Sequence, residues 1–182
     1  MTGQAFLVPR RSLLYMPGAN PRAMEKAQSL DCDTIIFDLE DAVAASVKSQ
    51  ARSQVLAALT HNTYGHRELV VRCNGLDTPW GMDDLRCFAD SPIGALLFPK
   101  IESKAQIREI KDALASHGSP LPVWIMIETP TAVLNLQHFA ADPRITALVM
   151  GTSDLVKELR AQHTPSRDNL AYALQQCVLV AR

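Results

Sequence analysis

No apolar run in the sequence approaches the roughly 20 residues needed to cross a bilayer. The opening stretch, MTGQAFLVPRRS, holds no apolar segment long enough for a secretory leader. A cytoplasmic protein with no membrane association is therefore expected. Charge of one sign is equally lacking: 18 Lys and Arg stand against 19 Asp and Glu, for a net charge of −1. Overall charge thus gives no drive toward nucleic acid or anionic lipid. The four cysteines (Cys32, Cys73, Cys87, Cys177) are scattered and form no CxxC pair. That argues against a disulfide framework or zinc site and for plain, mostly buried thiols. The five histidines show no HxH or HExxH spacing and receive no catalytic role. Eleven Pro and eight Gly in 182 residues are too few for a fibrous or disordered chain.

What is present is alternation. Short apolar runs occur at SLLYM (12–16), TIIFDLE (34–40), LVVRCN (69–74), ALLFPK (95–100), VWIMIET (123–129) and ITALVMG (145–151). Each is rich in branched or aromatic side chains and bounded by Pro, Gly, Asn or Asp, as buried parallel strands are. Helical patterns lie between them. Asn20-Pro21 opens the first, since Asn can cap and Pro suits the first turn. Others cover about 45–59 and 80–89, open at Ser103 with Ile107, Ile110 and Leu114 at helical spacing, and cover about 131–140, and the last runs from Asp168 towards Arg182. Six strand–helix units, each about 30 residues, predict a parallel sheet with helices outside it. The segment PGANPR after the first strand is not GxGxxG, so a dinucleotide-binding sheet is disfavoured.

Polar residues gather at the C-terminal ends of several strands: Asp38 and Glu40, Arg72, Lys100, Glu128 and Asp154. Barrel enzymes build their sites at that rim from many strands, whereas an open sheet concentrates its site at one switch point. The expected fold is therefore α/β, a TIM (β/α)8 barrel. A complete barrel takes about 250 residues, so this one is incomplete, with about six βα units in a single domain over 1–182.

Glu128 and Asp154 follow consecutive strands, and neighbouring strands lie about 4.8 Å apart. Two such carboxylates suit one hard cation, Mg2+, whose remaining sites go to substrate and water oxygens. Arg72 ends an otherwise apolar strand and needs an anionic partner, either a substrate oxygen or a rim carboxylate such as Glu40. Alternation points Asp38 and Glu40 to one side, where they could order metal-bound waters or orient Arg72. Asp41 is then a cap of the helix or turn. Arg22 and Lys26, beside the first helix N-terminus, are candidates for a CoA phosphate. Lys100 could form a Schiff base, but imine chemistry would leave Glu128 and Asp154 without a task. Asn74-Gly75 reads as a plain turn.

Taken in order, RSLLYMPGAN, DLEDAV with Lys48 and Arg52 following, VRCNG, FPKIES, IETP and GTSDL resemble the citrate lyase beta-subunit family of the HpcH/HpaI aldolase group. The resemblance covers essentially residues 11–182. The group includes citryl-CoA, malyl-CoA and methylmalyl-CoA lyases and malyl-CoA thioesterases. It implies a Mg2+-dependent barrel, with Glu128 and Asp154 as metal ligands and Arg72 and Glu128 as substrate contacts. The expected partners are a CoA thioester and a 2-oxo acid, and family habit with an open sheet edge implies a homo-oligomer. The expected activity is a carbon–carbon lyase: retro-Claisen cleavage of a 3-hydroxyacyl-CoA, with Mg2+ as Lewis acid and Arg72 at the forming enolate. Malyl-CoA thioesterase chemistry on the same scaffold and a non-catalytic barrel fragment acting as a binding subunit are the alternatives. No residue here is named as general base. In malyl-CoA-type relatives an acid/base Asp comes from a C-terminal lid, whereas this sequence stops at QQCVLVAR, about two units short of a full barrel.

Overall fold

The computed structural model describes residues 8–61 and 63–182. Six strands form one sheet in chain order: β1 (Leu13–Pro17), β2 (Thr34–Asp38), β3 (Glu68–Arg72), β4 (Ala95–Phe98), β5 (Val123–Ile127) and β6 (Ile145–Met150). Every neighbouring pair is parallel. The central strands β2, β4 and β5 are buried along their whole length, the reason their sequences read as unbroken apolar runs.

The intervening helices are α1 (Pro21–Ala27), α2 (Lys48–Thr60), α3 (Gly81–Phe88), α4 (Lys104–Ser116), α5 (Pro130–Phe139), α6 (Thr152–Glu158) and α7 (Ala171–Ala181). Three start where a side chain takes up a free amide. Asn20 Oδ1 accepts from the Ala23 N–H at 3.1 Å, Ser103 Oγ from Gln106 at 3.4 Å and Thr129 Oγ1 from Ala132 at 3.1 Å. Such caps contribute about 1 kcal/mol each. Pro21 and Pro130 open α1 and α5, where the missing N–H costs nothing.

The helix α6 is not anticipated by the sequence pattern. Its seven residues bury only Leu155 and Val156, too few to display a 3.6-residue period. A single-turn 3-10 segment precedes each of α2 and α7, at Ala45–Val47 and Asp168–Leu170.

The two faces of the sheet carry separate apolar clusters. The larger joins Ile35, Phe37, Val71, Leu96 and Ile125 to helix residues such as Met24, Val55 and Leu136. The smaller consists of strand residues alone: Ile36, Val70, Ala95, Leu97, Trp124 and Met126. Helices therefore cover one face, and the other faces an interior, the arrangement of a barrel wall rather than of a doubly wound sheet. Six consecutive βα units of a TIM-type barrel are present. Among the described residues the outer edges of β1 and β6 have no strand partner.

The N-terminal end of the inner cluster is closed by Arg10. Its Nε and Nη2 donate to the Glu68 carboxylate at 2.7 and 2.8 Å, and the guanidinium sits 4.8 Å from the Trp124 ring centroid. The polar groups with chemical potential lie at the opposite end. Among the described residues no helix is long and apolar enough to cross a membrane.

Candidate active site

Parallel pairing places Asp38, the last residue of β2, beside Arg72, the last of β3. Both are buried. Arg72 Nε donates to Asp38 Oδ1 at 2.8 Å and Nη2 to Oδ2, a two-point grip matched to the guanidinium fork. Nη1 lies 2.9 Å from Glu40 Oε2 and 3.5 Å from Asp41 Oδ2. The guanidinium also stacks on Tyr15, 5.4 Å from its ring centroid. Burial works against the charge on Arg72, but its hydrogen bonds to Asp38 and the nearby carboxylates outweigh it and raise the pKa further. Arg72 is thus fixed and permanently charged, and among the described residues Nη1 meets only long or poorly aligned acceptors.

Asp38 also caps the loop that follows it, accepting from the Glu40 N–H at 2.8 Å and from Ala42 at 3.2 Å. The sequence reading gave turn capping to Asp41. That side chain is instead 56% exposed and leans toward Arg72, because the strand end already directs Asp38 at the free amides.

Glu128 directly follows β5 and is 1% exposed. Its Oε1 accepts from the backbone N–H of Lys100 at 2.9 Å. Burial, with Glu40 and Asp154 adding like charge, pushes its carboxyl up to about 7 despite that hydrogen bond. Burial also raises Glu40, which is relieved in part by Arg72 and by Lys100. Lys100 Nζ donates to Glu40 Oε1 at 3.3 Å.

Asp154 does not sit on a strand end as its sequence position suggests. It occupies the first turn of α6, after Gly151 and Thr152. There it lines the same cavity as Arg72, Glu128, Tyr15 and Gly151, and a second cavity shared with Glu128 and Lys100. Gly151 is required for this closeness: a Cβ there would fall 2.6 Å from both Cβ and Oε2 of Glu128.

The donor set fits a hard divalent cation. Among the described residues neither Glu128 nor Asp154 is ion-paired to a basic side chain, while the neighbouring carboxylates Asp38 and Glu40 are. No group of three or more His, Cys, Asp or Glu that could hold a metal occurs among the described residues. Two carboxylates with waters and a ligand's oxygens are what Mg2+ commonly accepts.

Arg22 and Lys26 are exposed on α1 and line none of the cavities that hold Arg72, Glu128 or Asp154. Conversely, the structure gives a part in the site to residues that the sequence pattern leaves without one. Asn74 is not a simple turn residue. It is buried, and its Nδ2 donates to Leu39 O at 3.0 Å and to Asp84 Oδ2 at 2.6 Å. Arg52 Nε holds the other Asp84 oxygen at 2.8 Å. Lys48 Nζ donates to the carbonyls of Leu39 and Glu40 at 2.8 and 2.9 Å. Together Lys48 and Asn74 fix the loop that presents Glu40. The one signal available in sequence was the polar character of Lys48 and Arg52 on an otherwise small, apolar helix face.

Residues 11–182 match the HpcH/HpaI aldolase/citrate lyase family. Two proteins of Cereibacter sphaeroides strains, each named (3S)-malyl-CoA thioesterase, are 47% and 46% identical over 174 residues, 96% of this chain and 60% of theirs. Citrate lyase subunit beta of Leuconostoc mesenteroides is 34% identical over 95% of this chain and 60% of that protein. The chain thus spans about three-fifths of the length of the curated relatives it matches. Among solved structures, the Mycobacterium tuberculosis citrate lyase beta subunit complexed with oxaloacetate and magnesium superposes with a TM-score of 0.75. It is 26% identical and covers 94% of this chain and 75% of that one. CitE of the same organism with magnesium, acetoacetate and coenzyme A gives 0.75 at 26% identity, over 95% and 63%.

These relatives correct the expectation of a carbon–carbon lyase. The sequences at 46–47% identity carry the name of a hydrolase, and the lyase subunit is more distant. The physical reason is that the motifs cannot separate the two reactions. Cleavage beside a thioester and addition of water to it both develop negative charge on the thioester oxygen, so both call for the same cation and guanidinium. By its motifs, fold and overall similarity, the chain belongs to the HpcH/HpaI aldolase/citrate lyase family.

Proposed function

We propose that this chain forms the greater part of the catalytic barrel of a Mg2+-dependent thioesterase that hydrolyses a (3S)-malyl-CoA-type thioester. The observation that carries the reading is the convergence of Arg72, Glu128 and Asp154 on one cavity at the C-terminal end of the strands. The names of the relatives at 46–47% identity favour hydrolysis among the reactions such a cavity could serve. Neighbouring structures described with magnesium and small oxo acids support the metal and the acidic substrate portion.

Glu128 and Asp154 would hold the cation. When bound, Mg2+ supplies Lewis-acid polarisation of substrate oxygens and a template for the acidic portion. Lys100 N–H fixes one oxygen of Glu128, so the carboxylate enters the site already oriented. Arg72 provides positive charge for the thioester oxygen, which becomes an oxyanion as water adds to the carbonyl carbon. The C–S bond then breaks as the oxyanion collapses, and the CoA sulfur takes up a proton equivalent to the one water gives up, releasing malate and free CoA. Because Asp38 locks the guanidinium beforehand, no reorganisation is needed as that charge forms, and one preorganised donor is typically worth about 3 kcal/mol. Arg22 and Lys26, exposed just beyond β1, are offered to the phosphates of CoA.

The test is product analysis with malyl-CoA and the full-length protein, with and without EDTA. Metal-dependent release of free CoA and malate is expected. Acetyl-CoA with glyoxylate, or turnover indifferent to chelation, would refute the proposal.

A further inference from the structure

Lys100 has a backbone φ of +51°, in the left-handed region that side chains bearing a Cβ rarely adopt. Such a conformation costs roughly 1 kcal/mol or more and persists only where its surroundings over-determine it. Here three hydrogen bonds do so. The Lys100 N–H donates to Glu128 Oε1 at 2.9 Å. Its carbonyl accepts from Gln106 Nε2 at 3.2 Å. Its Nζ donates to Glu40 Oε1 at 3.3 Å.

We infer that Lys100 is a positioning residue that aligns both halves of the site at once: its amide sets the carboxylate of Glu128, and its ammonium sets the carboxylate of Glu40 beside Arg72. This rests on the thioesterase reading above. With Oε1 of Glu128 occupied by the amide, the plane of that carboxylate is determined and Oε2 is left against Gly151. With Oε1 of Glu40 held by the ammonium, Oε2 lies 2.9 Å from Arg72 Nη1 and forms no hydrogen bond among the described residues. Remove the ammonium and the whole negative charge of Glu40 falls on Arg72. The field available to an oxyanion weakens, while Glu128 keeps the amide hydrogen bond that orients it.

Three variants of the full-length enzyme separate this from a merely structural role. Lys100→Gly keeps the amide, relieves the left-handed backbone and deletes the ammonium. Lys100→Met keeps the amide and the backbone strain, and Lys100→Arg keeps a cation. The expected result for Lys100→Gly and Lys100→Met is a kcat for thioester hydrolysis at least about tenfold lower, because a misdirected charge near the reacting centre costs rate. The Mg2+ Kd from calorimetry stays within about threefold, and the Tm of Lys100→Gly is unchanged or raised. Lys100→Arg restores most of the rate. A glycine variant with kcat within about twofold of the parent would overturn the inference. So would a loss of rate that merely follows losses of Tm and Mg2+ affinity, or an arginine variant as slow as the glycine one. A parent enzyme that neither binds Mg2+ nor hydrolyses the thioester would remove the functional reading and this inference with it. A competent parent with silent variants removes Lys100 alone.

Discussion

Asp38 and Arg72 end adjacent parallel strands, face each other in register and join through two hydrogen bonds in a setting where both side chains are more than nine-tenths buried. The pair gives the site a guanidinium that cannot swing away and cannot lose its charge. Removing one partner of a buried pair strands the other charge. Asp38→Ala is therefore expected to destabilise the fold by about 3–5 kcal/mol, since the Glu40 and Ala42 amides lose their acceptor as well. Urea unfolding followed by circular dichroism measures it, and a loss below about 1 kcal/mol would show that the pair is not structurally coupled.

Arg72→Lys keeps the charge but loses the planar fork that Asp38 grips. The expected outcome is a fall in kcat/KM of about 100-fold or more, carried mainly by kcat. Steady-state kinetics on malyl-CoA decide it. A rate within a few-fold of the parent would take Arg72 out of the chemistry.

Glu128 is expected to make stability and Mg2+ binding respond to pH in opposite directions. Its carboxyl is raised to about 7 from an ordinary 4.5. The folded, metal-free protein holds that proton more tightly than the unfolded chain. The stabilisation is complete below about pH 4.5 and is lost as pH rises through about 7. A cation needs the deprotonated carboxylate, so Mg2+ affinity is expected to climb up to tenfold per pH unit on the approach to about pH 7 and to level off above it. Calorimetry in buffers of differing ionisation enthalpy should detect proton release on the acid side. Affinity that is flat across this range would exclude Glu128 as a ligand.

Glu128→Gln provides a companion measurement. The amide is nearly isosteric and its Oε1 can still accept from Lys100, but the buried charge is gone. Metal-free stability at pH 8 should rise while Mg2+ binding is abolished, the usual opposition between a site's function and the stability of its scaffold. Asp154→Asn should abolish Mg2+ binding with little change in stability, because Asp154 is only half-buried. Unchanged Mg2+ affinity in both variants would defeat the assignment of the pair.

Gly151→Ala introduces a methyl group that would lie 2.6 Å from Glu128 Cβ and Oε2. Either Glu128 moves or α6 does, at a cost of about 1–3 kcal/mol. Thermal unfolding and Mg2+ titration should both register the change. A variant that keeps Mg2+ affinity would show that Glu128 does not depend on the glycine for its place.

The elements were legible because their determinants are local. The apolar runs TIIFDLE, LVVRCN, ALLFPK and VWIMIET hold strands β2 to β5, and Asn20 and Ser103 head the helices their side chains cap, whereas the cap Thr129 sits at the end of a strand run and was not legible as one. The seven-residue α6 was not legible: like α1 it is too short to show a period, and unlike α1 it has no side-chain cap to mark its start. That omission misplaced Asp154 on a strand end.

Strand order, the direction of the strands and the rim on which polar groups gather were written in the sequence, since periodicity and capping act over a few residues. Which acid grips Arg72, which amide orients Glu128 and why a lysine occupies a left-handed turn were decided only in the folded chain. Those choices depend on strand ends brought together from about 30 or more residues apart by parallel pairing, and on burial that makes an unpaired charge costly. No local pattern encodes either.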